Sequence, residues 1–179
     1  MSDLRHLSTA ELESALPDLR AAPADGGRLA MIVRRPAENG REVLTEGQLC
    51  TSEGLVGDNW SKGRANPECQ LTLMNARAAQ LVAQSRDRWP LAGDQLYVDF
   101  DLSDANLPAG TRVAIGDKAV VEVTAEPHTG CEKFISRFGL EAMKFVNGKQ
   151  GRPLNLRGIN TKVITGGTIR EGDPVRRLA

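Results

Sequence analysis

The stretch Thr111-Arg112-Val113-Ala114-Ile115-Gly116-Asp117-Lys118-Ala119-Val120-Val121-Glu122-Val123-Thr124 contains two strand-like runs separated by a Gly-Asp pair. β-Branched residues favour extended backbone and Gly-Asp favours a tight reversal, so the stretch predicts a hairpin of two strands. Comparable short runs, with turn residues between them, recur at residues 28–35, 42–44, 70–74, 95–102, 158–165, 168–170 and 174–178. This pattern predicts a β-rich, barrel-like domain.

Helical patterns are short, and they fall at residues 8–20, 76–86, 132–137 and 140–147. They do not alternate with the strands as repeated βαβ units would. The sequence therefore predicts a mainly β fold of the β-rich α+β class, a barrel with a few peripheral short helices. No linker divides the chain. We expect residues 1–27 to form a helix and loop packed on a single domain that spans residues 28–179.

The composition is that of an ordinary globular protein and argues against several functions. The 179 residues include 23 basic and 23 acidic side chains, and aromatic residues make up only 4%. A nucleic-acid partner is not expected, because no basic excess attracts a phosphate backbone and few rings are present for stacking. No membrane partner is expected either, because no apolar run approaches the ~20 residues of a membrane span. The N-terminus also lacks the charged-then-apolar order of a secretion signal.

The three cysteines, Cys50, Cys69 and Cys131, are odd in number and widely separated. This spacing argues against a disulfide framework and favours a reducing, cytoplasmic setting. Cys50 and Cys69 lack neighbours that would activate a thiol, so we interpret both as structural.

The residues with the most chemical potential follow the hairpin, in Pro127-His128-Thr129-Gly130-Cys131-Glu132-Lys133-Phe134. Cys131 lies at a predicted strand-to-helix junction, three residues after His128 and two before Lys133. Helix-terminal N–H groups and nearby cations favour the thiolate form of a cysteine. We interpret Cys131 as a reactive thiol that attacks electrophiles, carries sulfane sulfur or binds a soft metal. The alternative is a small buried packing residue.

Other side chains near this segment each have two interpretations. His128 either takes the proton of the thiol or holds a cofactor, or it simply pairs with a backbone carbonyl. Lys133 and Arg137 are one helical turn apart, so they share a face that is either solvated or binds an anion. Arg157 is a further anion-binding candidate, and Gly158 beside it would let the backbone approach a ligand closely.

A Gly-Asp pair occurs four times, at Gly57-Asp58, Gly93-Asp94, Gly116-Asp117 and Gly172-Asp173. Glycine permits positive φ and aspartate bonds its own backbone, so the simplest interpretation is a repeated turn device. This interpretation fits best for the last two pairs, which lie between predicted strands. The irregular spacing argues against a structural repeat.

Several blocks of the chain resemble, in the same order, those of the MOSC domain, the module at the C-terminus of molybdenum-cofactor sulfurases. The blocks are residues 93–96, 102–110, 115–124, 127–131, 157–159 and 167–175. The resemblance covers most of the chain from residue 28 onward and implies a mostly β barrel. It also implies that the family's single conserved cysteine corresponds to Cys131. In that family the cysteine is a proposed persulfide carrier, or it is a molybdenum ligand in relatives that reduce N-hydroxylated compounds.

The resemblance further implies a molybdenum cofactor, the metal bound to molybdopterin, as the ligand. It adds Thr129, Gly130 and Asn106 to the cofactor-binding candidates Lys133, Arg137, Arg157 and Gly158. For Asn106 the alternative is ordinary turn chemistry, since Ser103 and Asp104 are its neighbours. The pyridoxal-phosphate domain of the full sulfurases has no counterpart in the sequence, so no covalent pyridoxal phosphate is expected. Trp60 also departs from the family, because several relatives have histidine at that place.

Two functions from different classes remain open. The first is a stand-alone MOSC-domain protein that binds molybdenum cofactor or carries activated sulfur on Cys131. It would act in sulfur transfer or in reduction of N-hydroxylated substrates, with a small-molecule ligand, a sulfur donor or acceptor protein, and a redox partner. The second is a non-catalytic β-barrel module that binds a small anionic ligand or a partner, with Cys131 used only in packing. A redox-sensing thiol is a third interpretation.

Overall fold

The computed structural model describes residues 4–63 and 65–179, and a closed β-barrel forms its body. The strands, in chain order, are β1 (Gly27–Arg34), β2 (Glu42–Leu44), β3 (Glu46–Cys50), β4 (Gly54–Leu55), β5 (Leu71–Asn75), β6 (Leu96–Asp99), β7 (Arg112–Ile115), β8 (Ala119–Val123), β9 (Ile159–Thr165), β10 (Gly167–Arg170) and β11 (Pro174–Arg177). The helices are α1 (Thr9–Ser14), α2 (Leu16–Arg20), α3 (Ala76–Ala83), α4 (Glu132–Phe138) and α5 (Leu140–Asn147). The predicted β-rich α+β class with short helices is confirmed.

Seven strands make the barrel, in the order β11-β7-β8-β9-β5-β6-β1, and β1 pairs with β11 to close it. β2 extends the sheet beyond β1. β10, β3 and β4 form a second sheet, whose Leu49, Leu55 and Ile169 join the core inside the barrel. The predicted hairpin is confirmed as β7–β8, with Arg112 opposite Glu122 and Ile115 opposite Ala119.

One parallel pair interrupts the antiparallel pattern. β5 and β6 run side by side with Leu73 opposite Leu96, and α3 plus a 3-10 helix (Arg86–Ala92) make the crossover between them. This single βαβ unit stands in a fold that otherwise does not alternate strands and helices, as predicted. The sequence predicted the two strands and the helix of the unit but not their parallel pairing. α3 ends at Ala83, where Gln84 adopts φ 62°.

The second sheet contains strands outside the strand-like runs of the sequence. β3 and β4 pair there, with Leu49 opposite Leu55. Glycine and charged residues interrupt this segment and weaken any strand signal. The strands form because buried leucines and pairing with β10 supply the stabilisation from distant parts of the chain.

The helices form a second hydrophobic core outside the barrel. Leu12, Leu16 and Leu19 are buried, as their helical spacing predicts, but Pro17 lacks the N–H needed to continue α1 and the helix is split. Phe134 and Phe138 of α4 pack edge to face, with ring centroids 4.9 Å apart. Within residues 4–63 and 65–179, no helix has the length and apolar character needed to cross a membrane.

Candidate functional site

Three ionisable side chains meet at one end of the barrel in a buried ionic cluster of Asp94, His128 and Arg157. His128 Nε2 lies 2.8 Å from Asp94 Oδ1, and Arg157 Nη1 donates to Asp94 Oδ2 at 2.7 Å. The Asp94 side chain is fully buried and the Arg157 side chain is 8% exposed. The chain separation is 34 residues for one pair and 63 for the other, so the fold itself assembles the cluster.

The charge of Asp94 decides which ring nitrogen of a neutral His128 carries the proton. Burial by itself raises the pKa of the Asp94 carboxyl, but the charges and hydrogen bonds of Arg157 and His128 outweigh burial and bring this pKa to about 2. Asp94 is therefore an anion at neutral pH. As an acceptor, it takes a hydrogen bond from the Nε2–H of His128. Neutral imidazole carries only one ring proton, so the other nitrogen, Nδ1, is left as an acceptor.

Arg157 is held by more than the carboxylate. Its Nη2 donates to the Ala92 carbonyl at 2.8 Å, and its guanidinium lies 5.2 Å from the ring centroid of Phe134. Its Nε is buried, and no described residue accepts a hydrogen bond from it. A buried donor of this kind is free to bond to a water molecule or to a ligand.

The loop of residues 124–131, here the Cys131 loop, is fixed by two asparagines as well as by Asp94. Asn147 Oδ1 accepts from the Gly130 N–H at 2.9 Å, and Asn147 Nδ2 donates to the Gly130 carbonyl at 3.2 Å. Asn160 Nδ2 donates to the carbonyls of Glu126 and Pro127. Sequence reasoning missed both asparagines.

Cys131 itself is exposed and occupies the N-cap position of α4 without bonding to the helix through its thiol. The alternative interpretation of Cys131 as a buried packing residue is therefore wrong, because the residue is exposed. The other two thiols differ. Burial, followed by the charges of Glu126 and Glu68, raises the pKa of Cys69, and Cys50 accepts from the Glu53 N–H within its own turn.

Four successive backbone carbonyls before Asp94 each accept a hydrogen bond from a different arginine. The pairs are Arg41 to Pro90 (3.1 Å), Arg137 to Leu91 (2.7 Å), Arg157 to Ala92 (2.8 Å) and Arg35 to Gly93 (3.0 Å). The carbonyl end of a helical segment favours cations. As a result, three half-buried arginines converge, namely Arg35 and Arg41, which are six residues apart, and the distant Arg137. We call them the arginine cluster.

The arginine cluster carries more positive than negative charge. Arg35 is paired with the buried carboxylate of Asp58 at 2.8 Å, whereas no described carboxylate lies within ion-pair distance of Arg41 or Arg137. Burial, and after it the charges of Arg137 and Arg35, lower the pKa of Arg41. On the same helix as Arg137, Lys133 pairs with the exposed Glu38 at 3.4 Å. Uncompensated, like-charged arginines favour an anion between them.

A cavity of about 400 Å³ is lined in part by residues 124–128 of the Cys131 loop. Leu107, Val123 and Ile159 provide apolar walls, and polar side chains surround them. The polar lining comprises Asp104, Thr124, Glu126, His128, Arg152, Asn155 and Asn160.

The structure separates the predicted site residues into two groups and leaves one apart. His128 and Gly158 line the cavity, with Arg157 directly behind them. Arg137 of α4 belongs to the arginine cluster, Lys133 lies one turn earlier on the same helix, and Thr129 is exposed in the Cys131 loop. Asn106 lies elsewhere, because its amide donates to the carbonyls of Ala24 and Asp101 beside a separate surface recess. These bonds fit the turn interpretation of Asn106.

Two of the four Gly-Asp pairs do more than turn the chain. Asp94 belongs to the buried ionic cluster, and Asp58 accepts from the side chain and the backbone N–H of Arg35. The glycine before each adopts positive φ, 93° at Gly93 and 85° at Gly57, as turn chemistry predicts. The turn interpretation, which fitted best for the other two pairs, is therefore incomplete for Asp58 and Asp94.

Replacing Gly158 with alanine is expected to destabilise the protein by roughly 2 kcal/mol or more. Gly158 has φ +119°, and an added Cβ would lie 2.5 Å from the Leu73 carbonyl and 3.0 Å from His128 Cδ2. Urea denaturation measures the change. Gly110→Ala is the matched control, since Gly110 also has positive φ but nothing lies within 4 Å of its added Cβ. Equal effects of both substitutions would refute the close approach at Gly158.

The fold is shared with solved structures of low sequence identity. The YUAD protein of Bacillus subtilis superposes with a TM-score of 0.61 at 14% identity, over 83% of this chain and 93% of that chain. YiiM from Escherichia coli superposes with a TM-score of 0.57 at 19% identity, over 85% of this chain and 70% of that chain. YiiM from Geobacillus stearothermophilus superposes with a TM-score of 0.59 at 13% identity, over 86% of this chain and 75% of that chain. Neither a family model nor a curated relative matches the sequence. The similarity is therefore one of fold.

Proposed function

We propose that this protein is a MOSC-type molybdenum-cofactor or sulfur-handling protein, in which Cys131 is the reactive sulfur and the arginine cluster binds the anionic part of the ligand. One observation carries the proposal. An exposed thiol that has no hydrogen-bond partner among the described residues stands at the start of the helix that carries Lys133 and brings Arg137 to two further arginines. The fold shared with the YiiM structures and the sequence blocks that resemble the MOSC domain support the same assignment.

The residues present fit a phosphate-bearing molybdopterin ligand. Phosphate oxygens are well matched to planar guanidinium groups, and Arg41 and Arg137 have N–H donors and no carboxylate partner among the described residues. Thiolate sulfur is a soft donor suited to a soft metal or to sulfane sulfur. No group of three or more His, Cys, Asp or Glu side chains in the described part of the chain forms a metal site, so Cys131 would serve as a single protein ligand.

Each side chain has a distinct role in this proposal. When bound, the molybdenum cofactor supplies oxygen-atom transfer chemistry at the metal, which the protein side chains do not provide. Cys131 holds the metal or the transferable sulfur, and Lys133, Arg137 and Arg41 hold the negative charge of the ligand. Asn147 fixes the backbone of Gly130, so that the thiol is presented in one position. Asp94 and His128 fix the other end of the loop.

Replacing Arg137 or Arg41 with glutamine is expected to lower retention of molybdenum cofactor by roughly 10- to 100-fold, because each removes a charge-assisted hydrogen bond. The measurement is elemental molybdenum that co-elutes with the protein after incubation with cofactor released from a molybdoenzyme. Arg112→Gln is the matched control, since Arg112 lies on β7 and pairs with Glu122 across the hairpin. Equal retention by all four proteins, including the unmodified one, would refute binding at the arginine cluster.

A further inference from the structure

The cavity beside the Cys131 loop presents hydrogen-bond acceptors, and we propose that it is a separate binding site for a small molecule with a primary amine attached to an apolar group. The site is distinct from the arginine cluster and does not depend on whether Cys131 binds molybdenum or sulfur. Its volume of about 400 Å³ accommodates a ligand of the size of an aryl-alkyl amine.

The first acceptor is His128 Nδ1. One edge of the imidazole ring packs against the protein, because Nε2 contacts Asp94 and Cδ2 lies against Gly158. Nδ1 is on the opposite edge of the ring, and His128 is one of the residues that line the cavity. The ionised Asp94 keeps the proton on Nε2, so Nδ1 is a lone-pair acceptor in the neutral ring. A ligand N–H can donate to it.

The second acceptor is the side-chain oxygen of Asn160, a residue that is only 4% exposed. Its Nδ2 donates to the carbonyls of Glu126 and Pro127, which fixes the orientation of the amide. None of the described residues donates to Oδ1, while Asn160 lines the cavity. An acceptor at the cavity wall that has no protein donor is available to a ligand or a water molecule.

The charge of the lining selects a cation. Glu126 and Asp104 contribute two carboxylates, and Arg152 contributes the one guanidinium of the described lining. Glu126 has no ion-pair partner among the described residues, and it lies close enough to Cys69 to raise the pKa of that thiol. The excess of carboxylates favours a protonated amine, and Leu107, Val123 and Ile159 receive its apolar part.

The experiment uses the full chain and a matched series of three probes, namely benzylamine, benzyl alcohol and benzoate, whose binding is measured by calorimetry at pH 7. Benzylamine is expected to bind at least about tenfold more tightly than benzoate or benzyl alcohol. Glu126→Gln should lower the affinity for benzylamine by roughly 3- to 10-fold, because the amine loses a carboxylate partner. Glu38→Gln is the control, since Glu38 is an exposed carboxylate beside Lys133. It should leave benzylamine binding unchanged.

A second measurement locates the ligand without any substitution. Saturating benzylamine should shift the nitrogen resonance of His128 Nδ1, while the two other probes should not. The proposal is overturned if benzylamine does not bind up to about 10 mM, if benzoate binds as tightly, or if Nδ1 does not respond. It is also overturned if Glu38→Gln weakens binding as much as Glu126→Gln. Loss of molybdenum retention in Arg137→Gln with intact amine binding would show that the two sites are independent.

Discussion

Asp94→Asn is expected to lower the free energy of unfolding by roughly 3–5 kcal/mol, the largest loss of stability we predict. Asparagine has nearly the same shape but no charge, so the guanidinium of Arg157 would remain buried without its carboxylate. Urea denaturation at pH 7 measures the loss. Glu122→Gln is the control, because its partner Arg112 is largely exposed and a surface pair contributes at most about 1 kcal/mol. Equal losses in the two variants would refute a buried ionic cluster.

The same carboxylate gives a pH dependence with a definite sign. In the folded protein the pKa of Asp94 is about 2, below its ordinary value of 3.8. A lowered folded pKa stabilises the native state above the unfolded pKa, and this contribution disappears as the pH falls through the folded pKa. The protein is therefore expected to lose roughly 2 kcal/mol between about pH 4 and pH 2 through Asp94. Asp94→Asn should lack this part of the acid transition, and an unchanged pH slope would contradict the assignment.

Cys131→Ala is expected to abolish molybdenum retention and persulfide formation while leaving the fold intact. The thiol is exposed and does not cap α4, so its removal should change the free energy of unfolding by less than about 0.5 kcal/mol. Elemental analysis for molybdenum and mass detection of a persulfide measure the functional loss. Cys50→Ala and Cys69→Ala are the controls, since both residues are less exposed than Cys131 and neither adjoins the helix that carries Arg137.

The outcomes separate the two proposed roles of Cys131. If Cys131→Ala loses only molybdenum retention, Cys131 is a metal ligand. If the variant loses only persulfide formation, Cys131 is a sulfur carrier. Full molybdenum retention together with full persulfide formation in Cys131→Ala would refute the proposed function. In that case amine binding in the cavity would be unaffected, since Cys131 is not part of its lining.

Much of the barrel follows from local sequence chemistry. The hairpin β7–β8 was predictable because Gly116 adopts φ 67° between two runs of β-branched residues, a conformation that glycine adopts without strain. The helices α4 and α5 were predictable because Gly139, with φ 95°, separates two apolar patterns. Periodicity and turn residues act over a few positions, so such features can be read from a single sequence.

The candidate site was only partly predictable, because its contacts join distant residues. His128, Lys133, Arg137 and Arg157 were proposed from their positions near Cys131 and Gly158, but their partners were not. Arg35 reaches the Gly93 carbonyl across 58 residues, and Arg41 reaches Pro90 across 49. No local pattern indicates such pairs. The clearest signal in the sequence was Gly93-Asp94. Its interpretation as a turn did not predict that the fold buries the carboxylate of Asp94.

The pairing of β1 with β11 has a consequence for how the chain reaches this structure. These are the first and the last strands of the described chain, and the ring of hydrogen bonds closes only where they meet, at Gly27 opposite Val175. During synthesis from the N-terminus, β1 emerges long before β11, so Gly27 and Arg28 at the start of β1 must wait without their final partners. Closure is thus a late event, governed by a contact of very high sequence separation. A ribosome-bound chain that ends before residue 174 should remain open to proteolysis.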